Sequence, residues 1–206
     1  MTAQPPYKNT PKGFTQRTAQ GILNLTGWQL SPFPELNQAV VVGGPHTSNW
    51  DGILGILSAA ALGVHSKVMI KSNLFKWPLG PVLKKLGGIP IDRSKNTGVV
   101  EQAANLFSEY QKLVLIVTPE GTRTRAARWK TGFYHIANTA CVPIVLATAD
   151  YVKKQVSFPL VLQPSGNLQS DLETMYECFA SVIPRHPHKL SAPVRRLWDA
   201  RHHEGS

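Results

Sequence analysis

Ala39-Val40-Val41-Val42-Gly43-Gly44-Pro45-His46-Thr47-Ser48-Asn49-Trp50-Asp51 is the stretch that decides the fold. Four consecutive apolar residues, three of them β-branched, read as a buried strand. Gly43, Gly44 and Pro45 end it in a turn. Ser48-Asn49-Trp50-Asp51 then fits the S-x-x-D capping pattern just ahead of an apolar run, which predicts a helix over 49–63. Strand, turn and capped helix in this order make one unit of an α/β layer. The turn falls at a sheet end, where open α/β sheets bind ligands.

The alternation continues outward from this unit. Residues 68–70, 89–91, 113–117 and 143–148 are short, β-rich apolar runs, and 73–86, 97–111 and 132–140 between them carry helical patterns. An edge strand over 154–163 and a last helix over 168–182 follow. Upstream, Ile22, Leu23, Leu25, Trp28 and Leu30 cluster on a short amphipathic helix over 16–30, which Ser31-Pro32-Phe33-Pro34 breaks. The expected fold class is α/β, a single layered domain with a central, largely parallel mixed sheet flanked by helices. Three segments are expected: an N-terminal segment over 1–35, the main domain over 36–183, and a basic, His-rich, loosely packed tail over 184–206.

The 206 residues are 42% apolar, enough for a real core and against wholesale disorder. Lys and Arg outnumber Asp and Glu by 22 to 12, a formal charge of +10 that attracts polyanions: nucleic acid, an anionic bilayer or phosphorylated small molecules. Cys141 and Cys178 stand far apart in no paired motif, which argues against a disulfide scaffold or zinc module and for two buried small hydrophobes in a reducing compartment. The start of the chain has no apolar signal-peptide core, and the longest apolar stretch, 53–64, is too short to cross a bilayer. The expectation is a cytoplasmic protein peripherally associated with a membrane.

His46 and Asp51 are the candidate catalytic pair. Five positions apart on one helix, they would point about 140° away from each other. They meet only if the helix starts between them, as the cap at Ser48 allows. The helix dipole then favours an ionised Asp51, and a carboxylate beside an imidazole fixes its tautomer and supports the imidazolium formed when it takes a proton. No enzyme nucleophile is required, because the hydroxyl can belong to the substrate. Taken alone, the same residues fit a capping box beside an ordinary loop histidine.

Three further blocks bear on that choice. Lys71 to Arg93 contains Leu74-Phe75, Pro78, Gly80 and Gly87-Gly88-Ile89-Pro90-Ile91-Asp92-Arg93; Thr118-Pro119-Glu120-Gly121-Thr122-Arg123 is followed by Lys130 and Gly132; Val142-Pro143-Ile144-Val145 comes last. With His46-Thr47-Ser48-Asn49-Trp50-Asp51 as an H-x-x-x-x-D motif, the four blocks in this order resemble the lysophosphatidate (1-acylglycerol-3-phosphate), or glycerolipid, acyltransferase family over residues 38–150. Pro45 stands where many members have Asn, and Thr47 where many have Gln. The resemblance implies an O-acyltransferase that moves a fatty acyl group from acyl-CoA or acyl-carrier protein to a lysophospholipid hydroxyl, by default 1-acyl-sn-glycerol 3-phosphate. It implies that Gly88, Ile91 and Arg93 help bind the acceptor's phosphate.

Each block also has a physical reading. Arg93 follows the strand 89–91, and a guanidinium suits bidentate phosphate binding. Glu120, Gly121, Thr122 and Arg123 form a turn after the strand 113–117; Glu120 suits a glycerol hydroxyl and Arg123 adds charge for phosphate. Backbone N–H groups near the helix start are candidates for oxyanion stabilisation. Trp129 among Arg125, Arg128 and Lys130 raises nucleic-acid binding as a rival, without a recognition-helix or strand-binding signature, so no nucleic acid is expected and a rim facing anionic lipid fits better. His135 reads as a core residue. His186, His188, His202 and His203 lack carboxylate or cysteine partners, and the chemistry needs neither metal nor cofactor. The remaining rivals are transfer to another amphiphile or to water by the same pair, and a nonenzymatic binder of anionic lipid or nucleic acid.

Overall fold

A computed structural model of the chain describes residues 13–64, 66–78, 80–81, 87–91 and 98–203. In chain order its elements are α1 Phe14–Leu25, β1 Gln29–Leu30, β2 Gln38–Gly44, α2 Asn49–Leu62, β3 Ser66–Lys71, a 3-10 turn Ser72–Phe75, β4 Gly88–Ile91, α3 Val99–Glu109, β5 Leu113–Val117, α4 Gly132–Thr139, β6 Ile144–Asp150, β7 Gln155–Leu162, α5 Leu168–Phe179, a 3-10 turn Pro187–Lys189 and α6 Ala192–His203. The seven strands form one mixed α/β sheet in the order β1-β7-β6-β2-β5-β3-β4, parallel throughout except for the β6–β7 hairpin.

Strand periodicity divides the core in two. Val40 and Val42 of β2, with Leu113, Leu115, Ile144 and Leu146, face α3, α4, α5 and α6 through Phe107, Phe133, Ile136, Met175, Phe179 and Val194. Ala39, Val41, Val114 and Val145 face the other side, against Phe33, Val64 and Phe158. There Leu54 and Ala61 of α2 also pack with Ala19 and Leu23 of α1. The register sets Val42 beside Val117 and Gly44 beside Thr148, so β2, β5 and β6 end together. Whatever follows these three strands therefore shares one edge of the sheet.

Several expectations change. The helix expected over 16–30 stops at Leu25; Gly27 turns the chain with φ +78°, and Gln29–Leu30 pairs with β7 as a short edge strand. Within 73–86 the chain first makes the 3-10 turn and is helical at residues 80 and 81; residues 79 and 82–86 of the expected helix lie outside the described residues. The tail beyond Pro184 is not loose. Leu190 and Val194 are fully buried, and Ser191 accepts a hydrogen bond from Trp129 Nε1 at 2.9 Å. Cys141 is exposed, against the expectation of a buried residue, and Cys178 is half-buried against the main core. His135 is exposed on α4, because its neighbours Tyr134 and Ile136 take the inward positions. Among the described residues no helix is long and apolar enough to cross a membrane.

Candidate active site

The turn after β2 delivers His46 to the shared sheet edge, and α2 starts three residues later. Ser48 is its cap, accepting from Trp50 N at 3.1 Å, and Asp51 closes the capping box by accepting from Ser48 N at 2.7 Å. Asp51 does more than cap. Its Oδ2 also accepts from Thr47 N at 2.7 Å and lies 3.7 Å from His46 Nδ1, while Oδ1 accepts from Ser48 Oγ at 3.2 Å and Tyr151 OH at 2.5 Å. The separation from the imidazole is an ion-pair distance rather than a hydrogen bond. Burial holds the His46 pKa below its ordinary 6.5, Asp51 opposes that shift and Arg123 adds to it. His46 is therefore neutral, and able to accept a proton, at neutral pH.

Glu120, in the turn after β5, reaches the same loop from the opposite side. Its Oε1 accepts from His46 N at 3.2 Å, and its Oε2 is buried with no hydrogen-bond partner. The residue is only 6% exposed, and burial pushes its pKa up to about 7, backbone hydrogen bonds opposing. Gly121 sits at φ +63°, a left-handed conformation that strains any side chain, and a Cβ there would press on Lys130. Thr122 shares a hydrogen bond of 2.8 Å with Thr124. Exposed Arg123 donates from Nη1 to Asn49 Oδ1, joining the turn to the first residue of α2.

Of the residues singled out in the sequence, His46, Asp51, Glu120, Gly121 and Arg123 thus gather within two turns joined by hydrogen bonds. Thr122 lies in the same turn with its hydroxyl turned to Thr124. Gly88 and Ile91 belong to β4, paired with Val68 and Lys71 of β3 at the far edge of the sheet. Arg93 lies outside the described residues. The amides expected to stabilise an oxyanion are largely committed: those of His46, Thr47, Ser48 and Trp50 each already donate to a side chain. Trp129 is only 4% exposed, packed edge-on against Phe133, Tyr176 and Phe179, and so cannot offer a base a stacking face.

Sequence reading missed Tyr151 and Trp50. Tyr151 is the first residue after β6, and β6 lies beside β2. A sheet order with these two strands adjacent was the signal that would have found it.

A cavity of about 820 Å³ runs between α2 and the sheet and past the strand ends to Val100, Phe133 and Ile136 of α3 and α4. His46, Asp51, Thr118 and Gly121 line it at the strand ends, and Phe33, Leu62 and Val64 at the strand starts. Its α2 wall includes Leu54, Ile56 and Leu62 with the small residues Gly52, Gly55, Ser58 and Ala59. The small residues leave room between the helix and the sheet. Gly52 and Gly55 have no atom within 4 Å of a notional Cβ. Parallel strands of this length span about 20 Å.

A mostly apolar cavity that an imidazole–carboxylate pair lines at the strand ends lies on an open α/β sheet. The Acyltransferase family model matches residues 25–148, more than half of the chain, and the protein belongs to that family. No curated protein matches the chain. Among solved structures it is similar to the 1-acyl-sn-glycerophosphate (LPA) acyltransferase PlsC from Thermotoga maritima, with a TM-score of 0.56 and 15% identity over 78% of this chain and 74% of that one. That likeness is one of fold.

Proposed function

We propose that the protein transfers a fatty acyl group from an acyl thioester, acyl-CoA or acyl-carrier protein, to the hydroxyl of a lysophospholipid, by default 1-acyl-sn-glycerol 3-phosphate, giving phosphatidate. The observation that carries this reading is the mostly apolar cavity of about 820 Å³ that His46 and Asp51 line at the strand ends. A long acyl chain fits along it, with its carbonyl left at the strand ends.

His46 takes the acceptor hydroxyl's proton as that oxygen attacks the thioester carbonyl. The tetrahedral intermediate collapses with loss of the thiolate, which receives the proton from His46. Asp51 holds the ring and supports its positive charge. Arg123 and Lys130 supply positive charge beside the cavity, favouring the developing oxyanion. By the family resemblance Arg93, with Gly88 and Ile91, holds the acceptor phosphate, and Glu120 supports the glycerol end. The protein works at an anionic bilayer surface without spanning it.

Purified protein given acyl-CoA or acyl-carrier protein with a panel of lysolipids, read by product mass spectrometry, tests the proposal. The expected product is phosphatidate from lysophosphatidate. Free fatty acid with every acceptor would replace transfer by thioester hydrolysis, and a different acylated lipid would reassign the acceptor.

A further inference from the structure

The C-terminal segment contributes to this end of the molecule although it lies outside the residues matched by the family model. Ile183 O accepts from Tyr151 N at 2.9 Å, and His186 N donates to Thr47 Oγ1 at 3.3 Å. Buried Leu190 and Val194 fix the chain that follows. Between these anchors Arg185 emerges with its guanidinium carbon 5.5 Å from the Trp50 ring centroid and 5.8 Å from that of Tyr151. Trp50 adjoins Asp51 in α2, and Tyr151 donates to Asp51. Arg185 is thus held on the catalytic pair's own supports.

A cation–π contact holds a guanidinium near a ring without consuming its N–H donors, which stay available to an acceptor. Among the described residues no carboxylate or carbonyl accepts from the Arg185 guanidinium. Of the two acids at this end, Asp51 is already engaged by two amides and two hydroxyls, and Glu120 is buried against His46 N. The charge is also not isolated, because burial and then the positive charges of Lys189 and Arg185 hold the His186 pKa below its ordinary value. An exposed guanidinium fork held over two rings at this end of the sheet suits a phosphate monoester, which takes two parallel N–H bonds.

We propose that Arg185, lying over Trp50 and Tyr151 at the His46–Asp51 end of the sheet, binds a phosphate monoester of the substrate. This rests on the acyl-transfer reading above. Two substrates carry such a group, a phosphorylated acceptor and the nucleotide of a coenzyme A donor.

The test uses the full chain as wild type, Arg185→Ala and Arg185→Lys. One arm compares lysophosphatidate with monoacylglycerol as acceptor; the other compares acyl-CoA with acyl-pantetheine as donor. In the arm that carries the true ligand, Arg185→Ala lowers the kcat/KM preference for the phosphorylated substrate about tenfold, and Arg185→Lys recovers part of it. Calorimetric titration with glycerol 3-phosphate and with adenosine 3′,5′-bisphosphate gives a readout that needs no turnover. Arg185-dependent binding in a protein without transferase activity would sink the function proposed above and keep this site. Transferase activity whose preferences and phosphate binding are both indifferent to Arg185 would overturn the site alone.

Discussion

At the scale of single residues, the site depends on three side chains that hold the His46 loop. His46→Ala should abolish transfer without unfolding the protein, and Asp51→Asn should lose most activity and about 1 kcal/mol of stability with its weakened cap. Turnover and thermal midpoint measured together decide this; full activity in folded His46→Ala would remove the pair from catalysis. Tyr151 donates to Asp51 at 2.5 Å, sharing the carboxylate's charge. Tyr151→Phe should therefore strengthen the pull of Asp51 on the imidazolium and raise the His46 pKa. The acid limb of kcat/KM then moves to higher pH and kcat falls several-fold, whereas a Tyr151 that only packs would leave the limb in place. Glu120 titrates in the opposite sense from a salt-bridged acid. Its folded pKa of about 7 lies above the ordinary 4.5, so the folded state holds its proton longer than the unfolded chain. Stability from this group is complete below pH 4.5 and is lost as pH rises to about 7, on the order of 3 kcal/mol in all. Glu120→Gln keeps an acceptor for His46 N and cannot ionise. Denaturant melts across this range should show a flatter pH dependence in the variant; equal slopes would mean that Glu120 is not desolvated in the folded state.

At the scale of elements, α2 both positions Asp51 and shapes the cavity. Ser58 is buried on the cavity wall with its hydroxyl unpartnered. Ser58→Phe should fill the middle of the channel, so that acyl donors of shorter chain are preferred while the cap and His46 stay in place. Competition among donors of different length, read by mass spectrometry, measures this; an unchanged preference would put the acyl chain elsewhere. The strand–turn–helix around His46 was legible because each signal is local: valines for β2, Gly-Gly-Pro for the turn, Ser48 and Asp51 for the cap. The elements misread had weaker local signals. A two-residue strand at Gln29–Leu30 has no period of its own and forms only because β7 lies beside it. Helix α6 is strongly polar, and Val194, Leu197 and Trp198 alone make its inner face. The same distinction separates the site's residues. His46 and Asp51 are joined through sequence neighbours, whereas Tyr151 and Arg185 arrive through strand order and the return of the C-terminal segment, which no window of sequence contains.

At the scale of the whole molecule, two surface properties bear on how a lipid acceptor reaches the site. The formal charge of +10 favours an anionic bilayer. Helices α1 and α2 pack on one face of the sheet and leave large apolar side chains outside: Phe14 is 87% and Leu25 90% exposed, and Trp50, Ile53 and Ile56 are exposed on α2. Because α2 also walls the cavity, a bilayer touching these helices would lie close to the cavity proposed for the acyl chain. Burying one large apolar side chain contributes about 1.5 to 3 kcal/mol, so Phe14→Ser with Leu25→Ser should weaken vesicle binding at least tenfold. Salt should weaken the electrostatic part in wild type and variant alike. In vesicle flotation, wild-type binding should therefore rise with anionic lipid and fall with salt, and the double variant should bind less at every salt concentration. Binding unaffected by the two substitutions but abolished by salt would make the contact purely electrostatic and leave the α1 face without a membrane role.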